Sequence, residues 1–161
     1  MSFITKEKSV ALYAALVSFG TYVFIFGFRK SFTVCTFEGM TFGPIAFKTA
    51  MVISQMLGYL MAKFYGIKFI SGLEKKNRYK IIFLLTGIAW TAWLLFAIVP
   101  APYSILFLFI NGFPLGMLWG VVFSYVEGRR STDFIGAALA VSFIFSAGWV
   151  KSVGAWLMQD F

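Results

Sequence analysis

From Val10 to Phe28 the chain carries no charged residue, and the next two positions are Arg29 and Lys30. A run of about twenty apolar residues is what a helix needs to cross roughly 30 Å of hydrocarbon. A cation inside such a helix costs on the order of 3 kcal/mol. Arginine does not shed its proton, so Arg29 calls for carbonyl groups, water, a carboxylate or an anionic ligand. Nothing acidic follows before Glu38. The stretch Gly27-Phe28-Arg29-Lys30-Ser31-Phe32-Thr33 is therefore the first candidate site.

Four more apolar runs follow. Helices are predicted at about 9–35, 47–70, 81–99, 104–126 and 134–158. Gly39, Gly43 and Pro44 mark a loop after the first, and Pro100-Ala101-Pro102 closes the third. Charged residues make up 12% of the chain, against roughly 25% in a soluble domain. With 60% hydrophobic residues and a mean hydropathy of +0.86, the expected fold class is all-α. It is a polytopic membrane bundle of five transmembrane helices, with the lipid bilayer as its first partner. The first run is too long for a signal peptide, lacks a small-residue cleavage site and ends in two cations, so it reads as a retained helix.

The formal net charge is +8. Lys6 and Lys8, then Lys68, Lys75, Lys76, Arg78 and Lys80, then Arg129 and Arg130, fall on one side if the helices alternate. The positive-inside rule places that side, with the N-terminus, in the cytoplasm of the inner (plasma) membrane, and Phe161 outside. Topology thus accounts for the basic residues, and no nucleic-acid partner is expected. The chain has no histidine and one cysteine, Cys35. That excludes disulfides, Cys/His metal sites and Ser-His or Cys-His catalytic pairs. No cofactor, metal or enzymatic activity is expected.

Apart from Lys48 and Lys68 at the two ends of the second, four cations fall within the predicted spans, namely Arg29, Lys30, Lys63 and Lys151, and no Asp or Glu does. A guanidinium matches phosphate or carboxylate bidentately, and a lysine adds a point charge. The candidate substrate-binding residues are Arg29 as clamp and Lys63 as second cation, with Tyr22, Gln55 and Tyr59 as lining. Asn111 and Trp119 are further lining residues. Gln55, Tyr59 and Lys63 recur every fourth residue and share one helix face; Ser18, Tyr22, Arg29, Thr33 and Thr36 form a stripe on the first helix. The plainer readings are that Lys30, Lys63 and Lys151 snorkel to an interface, that Arg29 caps carbonyls, and that the aromatic residues pack.

Tyr22 to Thr33 resembles the first helix of the organophosphate:phosphate antiporters of the major facilitator superfamily. Ile53-Ser-Gln-Met-Leu-Gly-Tyr-Leu-Met-Ala-Lys-Phe64 is similar to their second helix, and Phe109-Ile-Asn-Gly-Phe-Pro-Leu-Gly-Met-Leu-Trp119 to their fourth. The Phe-Arg-Lys and Gly-Ile-Lys stretches also resemble an uncharacterised bacterial family of facilitator-like proteins. The resemblance implies the N-terminal half of a transporter, with Arg29 binding substrate phosphate and Lys63 assisting. Gly66-Ile67-Lys68 lacks the aspartate that usually precedes this element, and the fifth-helix histidine is missing. A facilitator half has six helices and the whole transporter twelve, so a remainder or a partner chain is expected. The expected function is secondary transport of a small organic anion by alternating access. The alternative is a non-transporting sensor or assembly subunit that has kept the fold.

Overall fold

The computed structural model describes residues 2–128 and 131–159, with the side chains of residues 2–7 left out. Arg129, Arg130, Phe161 and the Lys6 side chain, which contribute to the expected charge asymmetry, lie outside the described residues. The fold is an all-α bundle built of α1 (Ser2–Lys30), α2 (Phe47–Ser71), α3 (Arg78–Ile98), α4 (Ile105–Phe123) and α5 (Thr132–Gln159). A two-residue hairpin, β1 (Thr41–Phe42) and β2 (Ile45–Ala46), joins α1 to α2. Its turn has glycine at the first central position, where Gly43 takes φ +59° and suits a primed turn.

Among the described residues four helices are long and apolar enough to cross a membrane: α1 from Lys8, α3 with the turn before it, α4 and α5. The protein is membrane-embedded. Although α2 is long enough, Lys48, Gln55, Lys63 and Lys68 break its apolar run.

α1 stops at Lys30, short of the expected Cys35, and tightens into one 3-10 turn over Ser31–Thr33. The turn sends Phe32 into a cluster with Phe47, Met51 and Leu108, with Trp93 alongside. Lys48 Nζ donates to the Thr33 carbonyl at 2.8 Å and to that of Cys35 at 3.0 Å, covering groups that a finished helix leaves without donors. Thr33 and Thr36 therefore do not extend the α-helical stripe of Ser18, Tyr22 and Arg29.

Two compact units are present: Met1–Ser31 with Val122–Phe161, and Phe32–Val121. In the first, α1 and α5 run parallel, because Phe19 meets Phe145, Val23 meets Ser146 and Gly27 meets Val150. Ser146 Oγ donates to the Val23 carbonyl at 2.9 Å, a buried tie between the helices. In the second, α2 and α4 run parallel in very close contact. Gly58, Ala62 and Gly66 on α2 and Gly112, Gly116 and Gly120 on α4 recur every fourth residue, the small-xxx-small pattern by which membrane helices approach. A Cβ on Gly58 would strike the Phe109 carbonyl oxygen, one on Gly112 that of Gln55, and one on Gly116 would lie 2.8 Å from both Tyr59 O and Ala62 Cβ.

Gly58→Ala and Gly112→Ala are expected to lower thermal stability by about 1–3 kcal/mol each, the usual cost of overpacking. Gly87→Ala, which meets nothing within 4 Å, is expected to be neutral or stabilising. Melting of the three variants in detergent checks this.

Candidate functional site

The shared face of Gln55, Tyr59 and Lys63 looks onto α4. Gln55 sits deepest, and its Nε2 donates to Asn111 Oδ1 at 2.9 Å. Asn111 Nδ2 donates in turn to the Ala89 carbonyl at 3.0 Å. One amide pair thus joins α2, α4 and α3 inside the bundle, where polar groups are costly unless partnered. The Gln55 side chain is committed to holding helices together.

Further along the same face, Lys63 Nζ lies 4.9 Å from the ring centre of Tyr59 and 4.6 Å from that of Trp119. Tyr59 precedes it by one turn on α2, and Trp119 comes from α4. Two aromatic faces suit an ammonium in an apolar setting and are worth about 0.5–2 kcal/mol each. They also fix where this charge stands. A groove of about 380 Å³ runs beside it, lined by Ile53, Met56, Leu57, Tyr59, Leu60 and Lys63. All six lie on α2, so the groove is an open depression along that helix. Lys63 supplies the single charge in an otherwise apolar lining.

The second cationic group is in the other unit. Tyr22 is 1% exposed and packs edge-on to Phe143 at 4.7 Å and near Phe26 at 6.2 Å. The Phe26 ring also carries the Arg29 guanidinium, 5.6 Å from its centre. Tyr22, Phe26 and Arg29 thus form a ladder up one side of α1, with the buried tyrosine as its foot and the half-buried arginine as its head. Lys30 follows, close enough to Arg29 and to Lys151 of α5 for their charges to act on it.

The structure therefore brings Gln55, Tyr59 and Lys63 together with Asn111 and Trp119, and sets Tyr22 and Arg29 on one ladder. Sequence reasoning missed that Lys151 stands level with Lys30. The signal was the parallel course of alternate helices, which puts the carboxyl ends of the first and fifth on one side. It also missed the role of Lys48, which depends on where α1 ends. Among the described residues no group of His, Cys, Asp and Glu is placed to hold a metal ion.

Gln55→Leu is expected to destabilise the protein by about 1–3 kcal/mol, because Asn111 loses a buried partner. Lys63→Met, which keeps the packing against Tyr59 and Trp119, is expected to cost less. Parallel thermal melts of the two variants compare these costs.

A protein family of unknown function, DUF5690, matches residues 31–161 of the chain. No curated protein and no solved structure matches it.

Proposed function

The chain belongs to DUF5690, a family of unknown function, and we propose that it is the N-terminal part of a secondary transporter of major facilitator type. It carries a small organic anion, of which phosphorylated metabolites are the favoured class, by alternating access. The observation that carries this reading is Lys63, a cation held between two aromatic rings at an open apolar groove.

Charge supports the same reading. Apart from Lys6 and Lys8, three cations lie within α1 and α5, namely Arg29, Lys30 and Lys151, and α1 from Lys8 onward contains no Asp or Glu. The single acid of α5 up to Gln159 is Asp133 in its first turn. α2 carries Lys48, Lys63 and Lys68 and no acid at all. Helices with this balance favour anions over cations. In the first unit Arg29 supplies a planar fork for phosphate or carboxylate, and in the second Lys63, with Tyr59 beside it, offers a more mobile charge. Tyr22 and Gln55 serve from behind, the first by seating the ladder that ends in Arg29, the second by fixing α2 against α4. The resemblance of α1, α2 and α4 to the antiporter helices points the same way. In this reading the cation-rich ends, Lys8 and Lys68 to Lys80, face the cytoplasm across the plasma membrane, and a further chain segment or partner completes the site.

One observation favours a second reading, a sensor or assembly subunit. Arg29 and Lys30 occupy the last turn of α1, where cations complement the helix dipole whatever else they do. Arg29 is then structural.

The two readings part in a thermal-shift panel of phosphorylated and carboxylated metabolites on the purified full-length protein, with Arg29→Ala and Arg29→Lys alongside. A ligand at 100 times its Kd is expected to stabilise the parent by about 2.7 kcal/mol. The response is expected to vanish in Arg29→Ala while that variant stays folded. Loss of the fold in both variants, or no response from the parent, assigns Arg29 to structure.

A further inference from the structure

Over positions 68–80 the chain gathers Lys68, Lys75, Lys76, Arg78 and Lys80 against one acid, Glu74. The positive-inside rule asks only that cations lie at this end of the bundle, and says nothing of what they touch. The helix beside them does not call for them either. Lys75 and Lys76 precede α3, and Lys80 lies in its first turn, which holds no acid. A helix is positive at its start, so α3 itself gains nothing from cations there. Glu74 answers only Lys76, at 3.2 Å, and accepts a hydrogen bond from Asn77 Nδ2 at 3.2 Å. Lys68, Lys75 and Lys80 are exposed, and among the described residues none of the three meets a carboxylate.

Their depth is set by the chain around them. Six residues, 72–77, join α2 to α3, the last three as a 3-10 turn. So short a loop stays close to the ends of its helices. The apolar span that includes α3 begins at Lys75, which puts the three ammonium groups at the boundary of the hydrocarbon. Aromatic residues mark the same level, as they do where membrane meets water. Exposed Tyr65 stacks on Phe69 in the last two turns of α2, with ring centres 5.9 Å apart. Exposed Tyr79 stands in the first turn of α3, with the Lys80 ammonium 6.0 Å from its ring centre. Ammonium groups free of carboxylates, beside aromatic rings at this depth, are the complement of a lipid headgroup of net negative charge.

We propose that Lys68, Lys75 and Lys80, with Tyr79, form a binding site for the phosphate headgroup of an anionic phospholipid in the leaflet that this end of the bundle meets. The lysines hold the phosphate as point charges, and Tyr79 lies against the region just below it. The site stands on charge, depth and exposure within the second unit and is independent of the transport reading.

The test uses the full-length protein in detergent, titrated with phosphatidylglycerol and separately with phosphatidylcholine, with bound lipid counted by native mass spectrometry. The parent is compared with Lys75→Gln, with the triple variant K68Q/K75Q/K80Q and with K68R/K75R/K80R. The parent is expected to bind phosphatidylglycerol more tightly than phosphatidylcholine. Each lysine removed is expected to raise the phosphatidylglycerol Kd about fivefold. Phosphatidylcholine binding is expected to stay as in the parent, which also reports that the fold is kept. The arginine variant is expected to bind as the parent does, because the contact is one of charge. Equal affinity of the parent for the two lipids overturns the site. So does a triple glutamine variant that keeps the parent's preference, or one that stays folded and loses both lipids alike. If the triple variant does not fold, Lys75→Gln, in the exposed loop, decides by the same criteria.

Discussion

Within hydrocarbon no water is on hand to take up a stray hydrogen bond, so every polar atom in the interior has to be answered by the protein itself. That constraint shapes both units. Ser146 reaches the Val23 carbonyl, Ser54 the Ile105 carbonyl at 3.0 Å, and Asn111 the Ala89 carbonyl while receiving Gln55. In each case a side chain on one helix donates to the backbone of another. The interior polar residues thus set the register of helices whose apolar surfaces, being all alike to lipid, would slide past one another freely. Lys48 applies the same rule at the edge, where α1 gives way to the hairpin.

The cations follow a different logic. Lys63 and Arg29 stand outside the amide network, and each lies against aromatic rings. Lys63 has the faces of Tyr59 and Trp119, and Arg29 has the face of Phe26. Ring faces steady a positive charge without cancelling it. An aromatic setting is how a membrane protein keeps a cation both tolerable and attractive to anions.

Much of this was legible in the sequence. The five helices follow from their apolar runs, and the loop after α1 from Gly39, Gly43 and Pro44. The shared face of Gln55, Tyr59 and Lys63 follows from a spacing of four, since helical geometry is local. Trp119 could be named as a lining residue on composition, but its place over Lys63 depends on how α4 is staggered against α2, which no local pattern encodes. The end of α1 was misjudged because Phe32, Val34 and Cys35 prolong the apolar pattern; where the helix tightens, Phe32 packs with Phe47, Met51 and Leu108, contacts remote in sequence. Lys151, for which snorkelling is the plainer reading, is exposed. Its company is set by α1, more than a hundred residues earlier in the chain.

The backbone contact between α2 and α4 has a mechanical consequence. Their glycines let carbonyl oxygens of one helix rest where side chains of the other would stand, at Gly58 against Phe109 and at Gly112 against Gln55. Rotating either helix, or sliding it by a fraction of a turn, would set bulkier residues against those oxygens. The pair is geared like two racks with meshed teeth, and any conformational cycle has to carry α2 and α4 together as one lever. Lys63 and Trp119 would then travel side by side, so the ammonium keeps its aromatic seat throughout the stroke.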